Sequence, residues 1–343
     1  MRSVSIAAIL AAALALALGG CGGGSEAETQ TAGSAPPARF FSPKSFWNQR
    51  VDRPLPLDPA SPALVGSLER EVAAEQAAAV GPWISTSEYS VPIYTVGARR
   101  PTVRVRIASS FREPSLRAAL RAVPLPPQAR PAAGSDGQLV VWQPATGRLW
   151  EFWRLRRSGS AWTASWAGAI ADARHNSGVY GPGAWPGADS RWGASGSGLS
   201  IAGGLIGLDE LATGEVEHAL AISLPEVRAG TYASPARRTD GTSGDPLSLP
   251  EGARLRLDPE LDLTQLSLPP LTRILAEAAQ RYGIVVRDRA GEVTFYGEDP
   301  RGAEPDPYKG PHGYFEGSYP SELLASFPWQ HLQVLELKLH RDP

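Results

Sequence analysis

Residues 138–167 contain QLVVWQ (138–143), LWEFWRLR (149–156) and AWTASWA (161–167), with turns at Ala145-Thr146-Gly147 and Ser158-Gly159-Ser160. Short runs rich in β-branched and aromatic residues, punctuated by polar glycine turns, predict three adjacent antiparallel strands. On the middle run Leu149, Glu151, Trp153 and Leu155 fall on one face and Trp150 and Phe152 on the other, because successive side chains in a strand point to opposite sides. Both faces are rich in apolar groups, so both must be covered, and they cannot be covered by the same core.

Working outward, residues 91–96 and 102–107 read as strands, the second alternating Val103, Val105 and Ile107 against Arg104 and Arg106. A helix follows Asp58-Pro59-Ala60-Ser61-Pro62, with Ser61 as N-cap and Leu64, Leu68 and Val72 on one stripe to about Ala79. A short helix is expected over 114–122, a helical turn over 209–213, and strands over 217–224 and 253–257. The helix over 270–282 carries Leu271, Ile274, Leu275, Ala278 and Tyr282 on one face and is ended by Gly283. A hairpin pairing 284–288 with 293–296 through Ala290-Gly291-Glu292 follows it. Residues 176–207 hold ten glycines together with Trp185 and Trp192, too irregular for regular elements and too aromatic for a solvated linker. With no internal repeat and no βαβ alternation, the fold expected is mainly β, an antiparallel β-sandwich or jelly-roll-like core with a few accessory helices.

Before this domain, Met1-Arg2-Ser3, an apolar run over 6–18 and small residues ahead of Cys21 have the layout of an export signal. The run is shorter than the ~20 residues of a membrane-crossing helix. Leu18-Gly19-Gly20-Cys21 resembles the lipobox of bacterial lipoproteins, which implies acylation of Cys21 and a stable anchor. Residues 22–38 lack large apolar side chains and read as a tether, leaving 39–343 as one β-rich globular domain on the extracytoplasmic face of a membrane. Cys21 is the only cysteine, so the domain has no disulfide, thiolate nucleophile or Cys-ligated zinc. A net charge of -2 argues against nucleic-acid binding and against any membrane contact beyond the anchor. The 30 arginines against 3 lysines follow from a GC-rich coding sequence.

Familiar catalytic signatures do not fit. Gly193-Ala194-Ser195-Gly196-Ser197 lacks the last glycine of a nucleophile elbow, and neither a zinc-protease motif, a phosphate loop nor a dinucleotide fingerprint is present. Glu151, a carboxylate on a mostly apolar face, is suited to act as a general acid or base, or else to pair with an arginine. His218 shares a face with Leu220, Ile222 and Leu224, as a base or as a hydrogen-bonded core residue. Residues 237–246 bring Arg238, Asp240 and Asp245 into a turn-rich segment able to neutralise an acidic sugar, pair Asp240 with Glu151, hold Ca²⁺ near Asp240 and Asp245, or simply form Asx-turns. Seven of the ten tryptophans lie between 142 and 192; Trp185 and Trp192 are the best placed of them to stack on sugar rings rather than fill the core. Arg254 and Arg256 share a strand face, either solvated or substrate-facing. Arg254 and Tyr282 complete the candidate substrate contacts.

Ser45-Phe46-Trp47-Asn48, Gly134-Ser135-Asp136-Gly137, Leu149-Trp150-Glu151-Phe152-Trp153, Glu217-His218-Ala219-Leu220, Thr239-Asp240-Gly241, Asp245-Pro246, Pro250-Glu251-Gly252 and Gln280-Arg281-Tyr282-Gly283 together resemble a family of exported proteins common in actinobacteria and other soil bacteria. The resemblance covers nearly all of residues 41–329. The family has no assigned activity, so the resemblance implies a secreted, carbohydrate-related role and no particular reaction. Many relatives carry histidine where this chain has Arg238, which weakens any scheme needing a second histidine there. The functional expectation is an enzyme acting on extracellular polysaccharide: a hydrolase using Glu151 with Asp240, or a lyase using His218 as base with Arg238 or Arg254 neutralising charge. The alternative is a noncatalytic glycan-binding or envelope-structural lipoprotein. In the enzyme form, Glu151, His218 and Asp240 are expected to meet in one cleft bordered by Trp185 or Trp192.

Overall fold

The computed structural model describes residues 40–108, 110 and 112–342. The expected signal, Cys21 and the tether over 22–38 lie outside the described residues. Among those described, strands predominate and form four sheets with a few helices, and no helix is long and apolar enough to cross a membrane.

The decisive stretch is β, with one departure from the expected meander. Leu139–Gln143 lies antiparallel to Arg148–Trp153, and Ile93–Thr95 adds to it in parallel. The third neighbour is Trp166–Ile170, not the whole of 161–167. At Arg154, where φ is +51°, the chain leaves the sheet, held by bonds from the Arg154 and Leu155 N–H groups to the carbonyls of Asp136 and Gly137. Arg156–Ser158 and Ala161–Ala164 then pair with each other, and Ala161–Ala164 runs parallel to Val105–Ile107, in a separate three-stranded sheet. The chain returns at Ser165, whose N–H donates to the Trp153 carbonyl. A period of two survives such a corner because both segments stay pleated and half-buried. Alternation therefore does not record a change of sheet.

The six-stranded sheet runs in the order Trp83–Ser85, Thr294–Tyr296, Leu220–Leu224, Ile284–Arg289, Arg254–Leu257, Leu332–Val334. Leu220–Leu224 is buried along its whole length, as a central strand covered on both faces must be. It also splits the expected hairpin: Ile284–Arg289 and Thr294–Tyr296 flank it, parallel on one side and antiparallel on the other. Two strands bridged by a short turn must lie close, but a gap of two spacings, ~9.6 Å, is still within reach of that connection. Parallel pairs occur in three of the four sheets, so the sheets are mixed where purely antiparallel ones were expected.

One face of this sheet (Leu220, Ile222, Leu224, Ile284, Val286, Phe295) packs on Ser61–Ala78, Pro270–Arg281 and Pro320–Ala325 through Leu64, Leu68, Leu275 and Leu324. The other face (Ala219, Ala221, Val285, Tyr296) belongs to a second core with Trp142, Trp150, Phe152 and the glycine-rich segment. The first helix has Ala60 as its N-cap. Ser61, expected there, instead accepts a hydrogen bond of 2.8 Å from the Val334 N–H, tying the helix start to an edge strand. Arg256 is likewise no surface residue: it is buried, and its guanidinium donates to the Val51 and Arg53 carbonyls and to Gln333.

Candidate functional site

The glycine-rich segment is built around Glu151. Its carboxylate is 0 % exposed and accepts from the Ala194 N–H at 2.8 Å, the Ser200 hydroxyl at 2.6 Å and the Ile201 N–H at 3.1 Å. Opposite it in the sheet stands Gly168, whose missing Cβ leaves room for the Tyr180 ring, 2.4 Å from where that carbon would lie. Burial pushes the Glu151 carboxyl above its ordinary range, an effect that its hydrogen bonds offset only in part. Among the described residues no arginine pairs with it; Arg238 instead donates to the carbonyls of Trp192 at 2.9 Å and Ser195 at 2.7 Å, and to that of Ser190. Anion and cation thus brace the same stretch of backbone from its N–H and its C=O groups.

On the far side of residues 193–196 opens a cleft of about 800 Å³, lined by Trp153, Trp166, Arg191, Arg238, Asp240, Asp288 and Arg289 among others. Its aromatic wall is a cross-strand pair, since Trp153 and Trp166 are register partners at the sheet corner, where neighbouring side chains stand ~5 Å apart. Both indole N–H groups are engaged, Trp153 on Asp136 Oδ1 at 3.1 Å and Trp166 on the Arg191 carbonyl at 2.7 Å. The Arg154 guanidinium lies 4.2 Å from the Trp153 ring centre.

Asp240 and Asp288 line the same cleft, and the buried Glu251 clusters with them. One carboxylate oxygen each from Asp240, Glu251 and Asp288 lies within 4.8 Å of the others. A β-bulge brings Asp288 there: the register of Ile284–Arg289 against Leu220–Leu224 shifts between Val286 and Asp288. Strict alternation would put Arg287 and Asp288 on opposite faces. With the extra residue both meet the glycine segment, Arg287 through the Ile201 carbonyl at 2.8 Å and Asp288 through the Gly196 N–H at 3.1 Å. Re-aiming a side chain is a recurrent use of bulges beside functional sites. Gly196 leaves the acids room, since a Cβ there would fall 2.6 Å from Asp240 Oδ1 and 2.9 Å from Asp288 Oδ1.

Burial raises all three carboxyls, and their mutual repulsion adds to it for Glu251, which reaches about 9, and for Asp288, which reaches about 7. Like charges this close do not all ionise unaided. The cluster either shares protons or takes a cation, and two of its members, Asp240 and Asp288, line the cleft.

Of the three residues expected to converge, Asp240 alone lines this cleft. Glu151 lies behind its wall, bonded to the backbone of Ala194. His218 sits elsewhere, in a small cavity of about 30 Å³ with Trp47, Glu210 and Glu298, space for a water or two. Its ring contacts Glu210 Oε2 at 3.1 Å and the Ala219 carbonyl at 2.9 Å.

Nor do the expected tryptophans border the cleft. Trp192 is 0 % exposed, and Trp185 packs on Trp150 and Arg148. Arg238 does line the cleft. Arg254 and Tyr282 do not: Arg254 straps the Gln49 carbonyl at 2.7 Å and that of Tyr282 at 2.6 Å, and the Tyr282 ring is buried in the core. Asp245 is exposed and forms an Asx-turn to the Leu247 N–H, apart from the acid group that includes Asp240. The residues missed from sequence are Trp153, Trp166, Glu251 and Asp288. The available signal for Asp288 was a charged Arg287-Asp288 pair interrupting an otherwise apolar strand. No family model, curated protein or solved structure matches this chain.

Proposed function

We propose that this protein is a lipid-anchored, extracytoplasmic protein that binds and acts on polysaccharide in the cleft between Trp153/Trp166 and the Asp240–Glu251–Asp288 group. The supporting observation is that an aromatic pair with its N–H groups already engaged lines the same cavity as Asp240 and Asp288, and that this cavity is large enough for sugar units. Indole faces stack on the C–H faces of sugar rings, and carboxyls supply the hydrogen bonds and proton chemistry that glycosidic bonds require. In the hydrolytic form of this reading, Asp240, the exposed acid, protonates the glycosidic oxygen as its bond to the anomeric carbon breaks, and a water that gives a proton to Asp288 adds to that carbon. In the eliminative form, Arg238 offsets the carboxylate of an acidic sugar, and an ionised carboxylate of the group takes the proton beside it as the glycosidic oxygen leaves. The export signal, Cys21 and the family resemblance belong to the same proposal.

A specific observation favours a second reading, noncatalytic glycan binding. Of the three acids only Asp240 is exposed, Asp288 being half-buried and Glu251 0 % exposed, whereas glycosidases use two carboxyls that both reach the scissile bond. Incubating the purified chain with a panel of neutral and acidic polysaccharides decides between them. New reducing ends without near-ultraviolet absorbance indicate hydrolysis, and unsaturated products absorbing there indicate elimination. Binding with neither product gives the second reading. Absence of binding to any glycan would refute both.

A further inference from the structure

The Asp240–Glu251–Asp288 group carries an inference that stands apart from the glycan reading. Three features define it. First, its members come from three separated parts of the chain, a loop, the turn before Arg254–Leu257 and a bulged strand end, yet present one oxygen each within 4.8 Å of the others. Ligands on opposite sides of one calcium ion, at ~2.3–2.6 Å from it, are separated by about this distance. Second, Glu251 is 0 % exposed. Its Oε2 accepts from the Asp240 N–H at 3.1 Å, but its buried Oε1 has no hydrogen-bond partner among the described residues. An orphaned carboxylate oxygen is costly away from water.

Third, Arg238, Arg287 and Arg289 act on the group electrostatically, but among the described residues none forms an ion pair with it. Arg238 donates to the carbonyls of residues 190–195. Arg287 donates to the Ile201 and Gly203 carbonyls and lies 4.0 Å from the Tyr296 ring centre. Among the described residues, the ion pairs formed by arginine, lysine and histidine all involve other acids.

From these we infer that Asp240, Glu251 and Asp288 hold a hard divalent cation of the calcium type at the floor of the cleft. An all-oxygen carboxylate donor set selects such an ion over the softer transition metals. Three carboxylates do not fill a shell of six to eight oxygens. The open positions face the cleft, where water or an anionic oxygen of a ligand completes the shell. If the glycan reading also holds, such an ion directs the cleft toward acidic sugars and away from proton donation by Asp240.

The test needs only the metal. The purified full chain, stripped with chelator, is titrated with CaCl₂ and with MgCl₂ by calorimetry, and its thermal midpoint is followed in parallel. Saturable one-site calcium binding is expected, with a rise in the midpoint as the ion stabilises the folded state. Asp288→Asn and Glu251→Gln should each weaken binding by about tenfold or more, ~1.4 kcal/mol. Both keep the side-chain shape and relieve repulsion, so the variants should fold. Asp245→Asn, outside the group, should bind as the parent does. No heat and no midpoint shift with either ion at millimolar concentration would overturn the inference. So would calcium binding that survives both substitutions in the group, or that is lost with Asp245→Asn.

Discussion

The Glu151 carboxylate holds residues 194–201 through two backbone N–H groups and one hydroxyl, in an interior no solvent reaches. Glu151→Gln replaces one acceptor oxygen by an amide that meets an N–H donor head-on. It should therefore lower stability by ~1–3 kcal/mol, the cost of an unsatisfied buried group, read as a fall in the denaturant midpoint. An unchanged midpoint would show that the segment does not depend on this carboxylate. Glu71 offers a pH readout at the same scale. Its carboxyl, raised to about 7 chiefly by burial, accepts from the Glu226 N–H at 3.0 Å. A carboxyl raised on folding stabilises fully below its unfolded value near ~4, and that contribution is lost as pH rises through about 7. Glu71→Gln keeps the acceptor and cannot ionise. It should match the parent at pH 4 and be the more stable at pH 8, by on the order of 1 kcal/mol once solvent screening is allowed for.

Elements whose signal is local were legible in the sequence. The stripe of Leu271, Leu275 and Ala278 and the left-handed Gly283 after it are seen in the helix Pro270–Arg281, where Gly283 has φ +85°. A Cβ at Gly283 would fall 2.5 Å from the Leu255 carbonyl oxygen. Gly283→Ala should cost ~2 kcal/mol or more from backbone strain and that contact, measured as a lowered thermal midpoint; a neutral result would mean the helix end can shift away from the sheet. What was not legible depends on partners distant in the chain. The sequence of 284–296 reads as a hairpin whether or not Leu220–Leu224 lies between its strands. Strict alternation also puts Asp288 on the helix-covered face, because one extra residue at Arg287 leaves no mark in the pattern. The charged turns around Arg238 and Asp240, singled out in the sequence, line the cleft. Trp153 and Trp166 did not stand out, since a tryptophan at a sheet corner looks in sequence like one in the core.

At the scale of the molecule, the cleft lies where the corner of the four-stranded sheet meets the ends of strands in the six-stranded one, with the glycine-rich segment between them. One sheet supplies the aromatic wall and the other Asp288, while turns supply Arg238 and Asp240. Glu151 and Arg238 fix the backbone between them, which gives the site a rigid support on both sides. The central claim is that this cleft, and no other part of the surface, meets the glycan. It is tested most directly by equilibrium binding to the best ligand of the polysaccharide panel, comparing the parent chain with Trp153→Ala/Trp166→Ala and with Trp185→Ala. Base stacking on aromatic rings is worth ~1–3 kcal/mol per ring by alanine substitution, and stacking of a sugar on indole is expected to be of similar order. The double variant should therefore bind at least about tenfold more weakly, with an unchanged fold by circular dichroism, and Trp185→Ala should bind as the parent does. Undiminished binding by the double variant, or loss confined to Trp185→Ala, would contradict the account.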